Sequence, residues 1–236
     1  MNHFRRIVLL LALLAGVQRS YAQDSSPLKP RQTAEFWLST TVDMKPFSKK
    51  SGQVYEHKFF KKFRLSGELG YRGNENLFNG KVVYTVLGMR YRFNKHVRVM
   101  LENRYNMRGA TGTNSFRNDL QLDLTTQRGR FRFGYRLTGQ HEYINITNFP
   151  DILRNRAAVE YNIRKSPFKP YIAAESFSVI SYRGKMLIGM RYTLGTQWSL
   201  GKDRSLDLGV RHDREINLYD PTYRWIFALS YDLSLN

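Results

Sequence analysis

Two groups of residues in this 236-residue chain could carry chemistry: a few histidines beside acids, and a large set of arginines at alternate positions. With no cysteine present, histidine would have to anchor any metal site or general base. His57, His96, His141 and His212 remain once the first 22 residues are set aside, and no two stand at metal-ligand spacing. His212 precedes Asp213, but neighbours on a strand point to opposite faces and cannot form an acid/base pair. No motif places a serine or second carboxylate beside them, and no glycine loop is built for phosphate. Asn145-Ile146-Thr147 is too short a glycosylation pattern to carry a function. The sequence therefore predicts no catalytic residue, no cofactor and no metal site.

The arginines are more informative. Arg90, Arg92, Arg98, Arg104, Arg132, Arg136, Arg154, Arg156, Arg191, Arg211 and Arg224 share strand parity with Glu102, Asp119, Asp123, Glu142, Glu160, Asp207 and Asp232. Apolar residues hold most of the positions between. Within 82–93, Val83, Leu87, Met89, Tyr91 and Phe93 alternate with Val82, Tyr84, Val86, Gly88, Arg90 and Arg92; within 116–126, Leu120, Leu122 and Leu124 alternate with Asp119, Gln121 and Asp123. A period of two makes one face of each strand oily and the other charged.

Such strands recur along the chain. The pattern predicts them at 34–43, 54–60, 64–72, 82–93, 96–108, 116–126, 130–143, 152–163, 170–179, 186–194, 205–213 and 223–235, which makes twelve. Ten is the fallback, because 55–71 keeps one parity and reads equally as a single strand. All seven prolines fall in the lead, in connections or at the first residue of a strand, as a closed sheet requires. An even count would leave both termini on one side.

Ahead of the strands, residues 1–22 read as a secretory signal. Arg5 and Arg6 precede an apolar run at 7–17, and Ser20-Tyr21-Ala22 supplies the cleavage pattern. Residues 23–33 form a flexible periplasmic lead with Pro27 and Pro30, and 34–236 form the barrel. The chain carries a net charge of +19, or +16 without Arg5, Arg6 and Arg19. Basic charge of this size suggests nucleic acid, but the arginines are spread along an exported chain, so no nucleic-acid partner is expected.

No later segment is apolar over the length a membrane helix needs, yet the chain holds 15 Phe, 15 Tyr and 3 Trp. A closed antiparallel up-and-down barrel with apolar side chains turned to lipid and charges turned inward accommodates both facts. Tyr71, Tyr91, Phe93, Tyr105, Phe131, Tyr143, Tyr171, Tyr192, Tyr223 and Tyr231 lie near strand ends, where an aromatic girdle would meet the headgroups. The last strand, with Phe227, Leu229, Tyr231, Leu233 and Leu235, has the alternation that barrel-assembly machinery reads, although Asn236 stands where many such chains end in Phe. Glu175 conflicts with this scheme: by parity it joins Tyr171, Phe177 and Val179, and so faces lipid unless a bulge reverses the register.

Several motifs carry a family resemblance: Trp37, Gly70-Tyr71-Arg72, Arg154-Asn155-Arg156 ahead of Tyr161, Pro170-Tyr171 followed by Glu175 and Phe177, and Gly189-Met190-Arg191-Tyr192. The chain resembles an uncharacterised outer-membrane β-barrel family, a domain of unknown function common in Bacteroidetes-type bacteria. The resemblance spans nearly all of the chain after residue 22 and implies fold and location without an activity.

The functional expectation is an outer-membrane barrel, not an enzyme, with a structural or interaction role or a narrow anion-biased channel. Its partners would be outer-membrane lipids, the assembly machinery and small anionic solutes. Two rivals stand beside it: an outer-membrane enzyme acting on lipid or peptide, and a soluble lipocalin-like periplasmic carrier.

Overall fold

The computed structural model describes residues 29–46, 62–73, 80–109, 112–144, 147–148, 151–181 and 184–235. The segment read as a signal, most of the lead, the strand expected at 54–60, His57 and the Asn145-Ile146 pair lie outside the described residues. Among the described residues no helix is long and apolar enough to cross a membrane.

The strands are β1 (Arg31–Met44), β2 (Phe63–Gly73), β3 (Gly80–Arg92), β4 (Val97–Met107), β5 (Ser115–Arg128), β6 (Phe131–Ile144), β7 (Thr147–Asn148), β8 (Asp151–Tyr161), β9 (Phe168–Ser181), β10 (Gly184–Ser199), β11 (Arg204–Glu215) and β12 (Thr222–Leu235). β7 is a two-residue piece that pairs only with β6. The other eleven close into a ring, each long strand antiparallel to the next in sequence, with β5 joined to β6 and β1 joined to β12. Eleven of the twelve expected strands coincide with ring strands, with β1 starting at Arg31, inside the expected lead, and β9 at Phe168, which puts Pro170 inside the strand and not at its first residue.

Eleven is an odd number, and that has a geometric consequence. Successive strands reverse direction, so the first and eleventh run the same way and must pair in parallel, from Arg31↔Thr222 to Met44↔Leu235. This corrects the sequence expectation for the termini, because the start of β1 and the end of β12 stand at opposite rims. We call them the N-rim and the C-rim. The N-rim carries the connections β2–β3, β4–β5, β6–β8, β9–β10 and β11–β12; the C-rim carries the others.

C-rim connections after β3 are short and chemically defined. The Asn94 side chain accepts hydrogen bonds from the backbone N–H of His96 (2.7 Å) and Val97 (2.9 Å), which fixes the β3–β4 turn. Between β5 and β6 only Gly129 and Arg130 intervene, and Gly129 takes φ +61°, a conformation that a tight hairpin needs and glycine adopts freely.

Burial decides which face is which. Asp119 is 2 % exposed and Asp123 6 %, while Leu120 between them is 60 % exposed. Leu69, Leu87, Leu101, Ile172 and Leu194 are likewise exposed. In a single-layer ring the buried face is the interior, so the charges point in and the leucines point out. The inner face also carries an apolar cluster of Val82, Tyr84 and Val86 on β3, and Ile226 and Ala228 on β12 are buried as well.

On the outer face aromatics pair near both rims. Tyr105 packs on Phe116 (4.5 Å) and His212 on Trp225 (4.4 Å) towards the N-rim; Phe131 meets Tyr161 (5.0 Å) and Phe168 meets Trp198 (5.4 Å) towards the C-rim. Tyr171, expected in this set, instead points inward and donates a hydrogen bond to Asp207 at 2.8 Å.

Candidate functional site

The lumen is built from alternate residues of all eleven ring strands, and cross-strand register sets most of its pairings. Arg154 and Arg191 both reach Glu175, at 2.7 Å and 3.7 Å, and Arg191 also binds Asp213 at 2.5 Å. Arg156 and Arg191 sit directly opposite Glu175 on the two neighbouring strands. Three guanidinium groups therefore surround one buried carboxylate. That resolves the conflict over Glu175: the parity of all of β9 is the reverse of the expectation, with Tyr171 and Phe177 inside and Ile172 outside. The register shift nearby lies on β10, between Leu187 and Gly189.

The other sequence-predicted lumen residues fall as follows. Asp123 is shared by Arg136 (2.7 Å) and Arg98 (3.8 Å), and Arg90 pairs with Asp43 (3.5 Å). Asp119 pairs with Arg117 (2.7 Å), Glu142 with Arg108 (3.2 Å) and with the donating Ser115 hydroxyl (2.7 Å), and Arg132 with Glu160 at 4.0 Å. Arg224 pairs with Glu215, and Glu102 accepts a hydrogen bond from Gln121. Asp232 faces the Ser205 hydroxyl at 3.5 Å. Arg92 ends β3 exposed, opposite Arg98. The predicted set is not one cluster; it is spread over the length of the barrel.

Arg104 and Arg211 lie on aromatic rings. Arg104 stands over Tyr84 at 4.3 Å and Arg211 over Trp37 at 5.3 Å. Two residues outside the predicted set complete this layer: Arg72 lies over both Trp37 (4.1 Å) and Tyr84 (4.9 Å), and Phe177 lies under Arg154 (5.2 Å) and Arg191 (5.1 Å). Cation–π contact of this kind is worth about 1–2 kcal/mol when desolvated. Trp37, Tyr84 and Phe177 lie outside the predicted set because an aromatic side chain fits either face of such a barrel, and alternation alone gives it no role in the lumen. Arg72 and Arg117 carry a usable signal, since Arg72 shares parity with Glu68 and Arg117 with Asp119.

Towards the C-rim the lumen widens into a cavity of about 280 Å³, lined among others by Arg98, Asp123, Arg132, Arg136, Arg156, Glu160, Tyr171 and Asp207. Arg156, opposite Glu175 in register, also lines this cavity.

The histidines are scattered. His96 is 2.8 Å from the Thr125 carbonyl in a C-rim turn, His141 is 2.6 Å from Asp151, and His212 stacks outside on Trp225 while Asp213 points inward to Arg191. His212 and Asp213 therefore stand on opposite faces of β11.

A closed ring of eleven strands with ionic groups inside and leucines outside defines a β-barrel of inverted polarity. The chain belongs to the family described as Protein of unknown function (DUF2490), whose profile matches residues 35–218. No curated protein and no solved structure matches it.

Proposed function

We propose that this protein is an outer-membrane β-barrel whose lumen is closed by stacked arginine and aromatic side chains. It serves as an anion-binding or interaction barrel and not as an open diffusion pore. One observation carries the reading: buried Asp119, Asp123 and Glu175 line the inside while leucines such as Leu87, 72 % exposed, cover the outside. In water that outer surface would be a large unshielded apolar patch; in a bilayer it is the required one.

The dimensions support it. Phe131 and Tyr143, near the two ends of β6, are about 40 Å apart along the strand at about 3.3 Å per residue. A tilt of about 40° reduces this to roughly 30 Å, the thickness of a bilayer's hydrocarbon core. Eleven strands about 4.8 Å apart at that tilt give a backbone diameter of roughly 22 Å, so one layer of side chains from each wall meets at the axis. Short turns belong on the periplasmic side, which turns the C-rim cavity towards the periplasm.

Reconstitution into planar bilayers tests the function. The expected result is membrane insertion, monitored by a heat-modifiable gel shift, with little or no steady conductance. A large conductance would overturn the closed lumen, and a chain that stays in solution without detergent would overturn the membrane location.

A further inference from the structure

Towards the N-rim three arginines, Arg72, Arg104 and Arg117, crowd together on the inner face. Arg72 lies one residue from the end of β2, Arg104 three from the end of β4, and Arg117 two from the start of β5. Arg104 and Arg117 are directly opposite in the β4–β5 register, a placement in which like charges destabilise a sheet. Arg104, Arg117 and Arg191 are the like charges acting on Arg72.

Among the described residues their hydrogen bonding is incomplete. Asp119 is taken by Arg117, and Glu68 accepts a hydrogen bond from the Tyr84 hydroxyl at 2.7 Å. The Nε of Arg72 and the Nε and Nη1 of Arg104 are buried with no hydrogen-bond partner. A buried charged donor without an acceptor is among the costlier arrangements in a protein interior. Both guanidinium groups are nevertheless held in place, because the Tyr84 ring lies against each of them.

We propose that Arg72, Arg104 and Arg117 form an internal binding site for a small oxoanion of the phosphate or sulfate class. Planar guanidinium forks match the oxygens of such an anion, and the orphan donors gain charged acceptors. The site deepens the anion-binding reading above and rests on it. It is distinct from the C-rim cavity, which is lined by other arginines.

Calorimetric titration of inorganic phosphate into the folded chain, in non-ionic detergent and a chloride-poor buffer, tests the site. Saturable binding is expected, weakened at least about tenfold by Arg72→Gln or Arg104→Gln, the loss of one charge-assisted hydrogen bond. Arg98→Gln, at the C-rim, should leave it unchanged. Phosphate should also raise the temperature of the heat-modifiable gel transition for the native chain and not for Arg104→Gln, which reads the site even if a variant is less stable. No saturable binding by the folded native chain, or undiminished binding by both variants, would overturn the proposal. So would competition by phosphatidylglycerol in the micelle, because it would place the anion on the outer surface as a lipid headgroup. A conducting barrel that still binds phosphate at these arginines would remove only the closed lumen, so the two failures are told apart.

Discussion

The ring of Tyr84 occupies the space that a side chain at Gly70 would need: a Cβ built on Gly70 would collide with the ring. The two residues are direct cross-strand partners on β2 and β3, so the absence of a side chain on one strand lets the aromatic of the next lie flat against the wall. Arg72 and Arg104 rest on that ring. Gly70→Ala should therefore displace Tyr84 and destabilise the barrel by about 1–3 kcal/mol, the usual cost of overpacking. Gly134→Ala, where a Cβ meets nothing within 4 Å, is the matched control. Midpoint temperatures of the heat-modifiable transition check the pair; equal values would contradict the packing described.

Glu175 is the hub of the mid-lumen ion pairs. Glu175→Gln strands Arg154 and should cost about 3 kcal/mol or more, because a buried charge loses its partner. Replacing both members, Arg154→Met with Glu175→Leu, should recover most of that loss. Urea unfolding in micelles gives the comparison, and a double variant no better than the single one would argue against a desolvated pair.

The parallel β1–β12 seam predicts an unusual topology. An epitope placed just before Arg31 and one placed after Leu235 should be reached from opposite faces of the membrane in proteoliposomes or cells. An even-stranded barrel would expose both on the same face. Protection of both epitopes by one and the same membrane face is the contrary outcome.

Trp37 supports Arg72, Arg191 and Arg211. Trp37→Ala removes that support and should let the arginines swing to the wall. Single-barrel conductance is then expected to rise above that of the native chain with a preference for anions. No change in conductance would show that the closure lies elsewhere.

Much of this architecture is legible in the sequence, for a simple reason. A barrel with one oily and one charged face imposes a period of two, and runs such as Leu120, Leu122, Leu124 against Asp119, Gln121, Asp123 display it openly. Parity fails where the lumen itself is aromatic. On β9, Tyr171 and Phe177 look like outer residues, and only the arginines of β8 and β10 reveal that Glu175 draws the whole face inward. The odd count was equally hidden, since strand number depends on which segments join the ring and not on periodicity. The oxoanion site draws on β2, β4 and β5, and no local spacing links Arg72 to Arg104 and Arg117.

The most direct measurement is depth and polarity profiling of single cysteines, each carrying a nitroxide, in proteoliposomes; the chain has no native cysteine to interfere. Labels at Leu87, Leu120 and Leu194 should collide freely with oxygen and hardly at all with a water-soluble nickel chelate, as lipid-facing sites do. Labels at Gln121 and Thr193 should lack that lipid signature. Chelate access at the three leucine positions, or a lipid signature at the two polar ones, would contradict a barrel that turns its leucines to the bilayer and its arginines to the lumen.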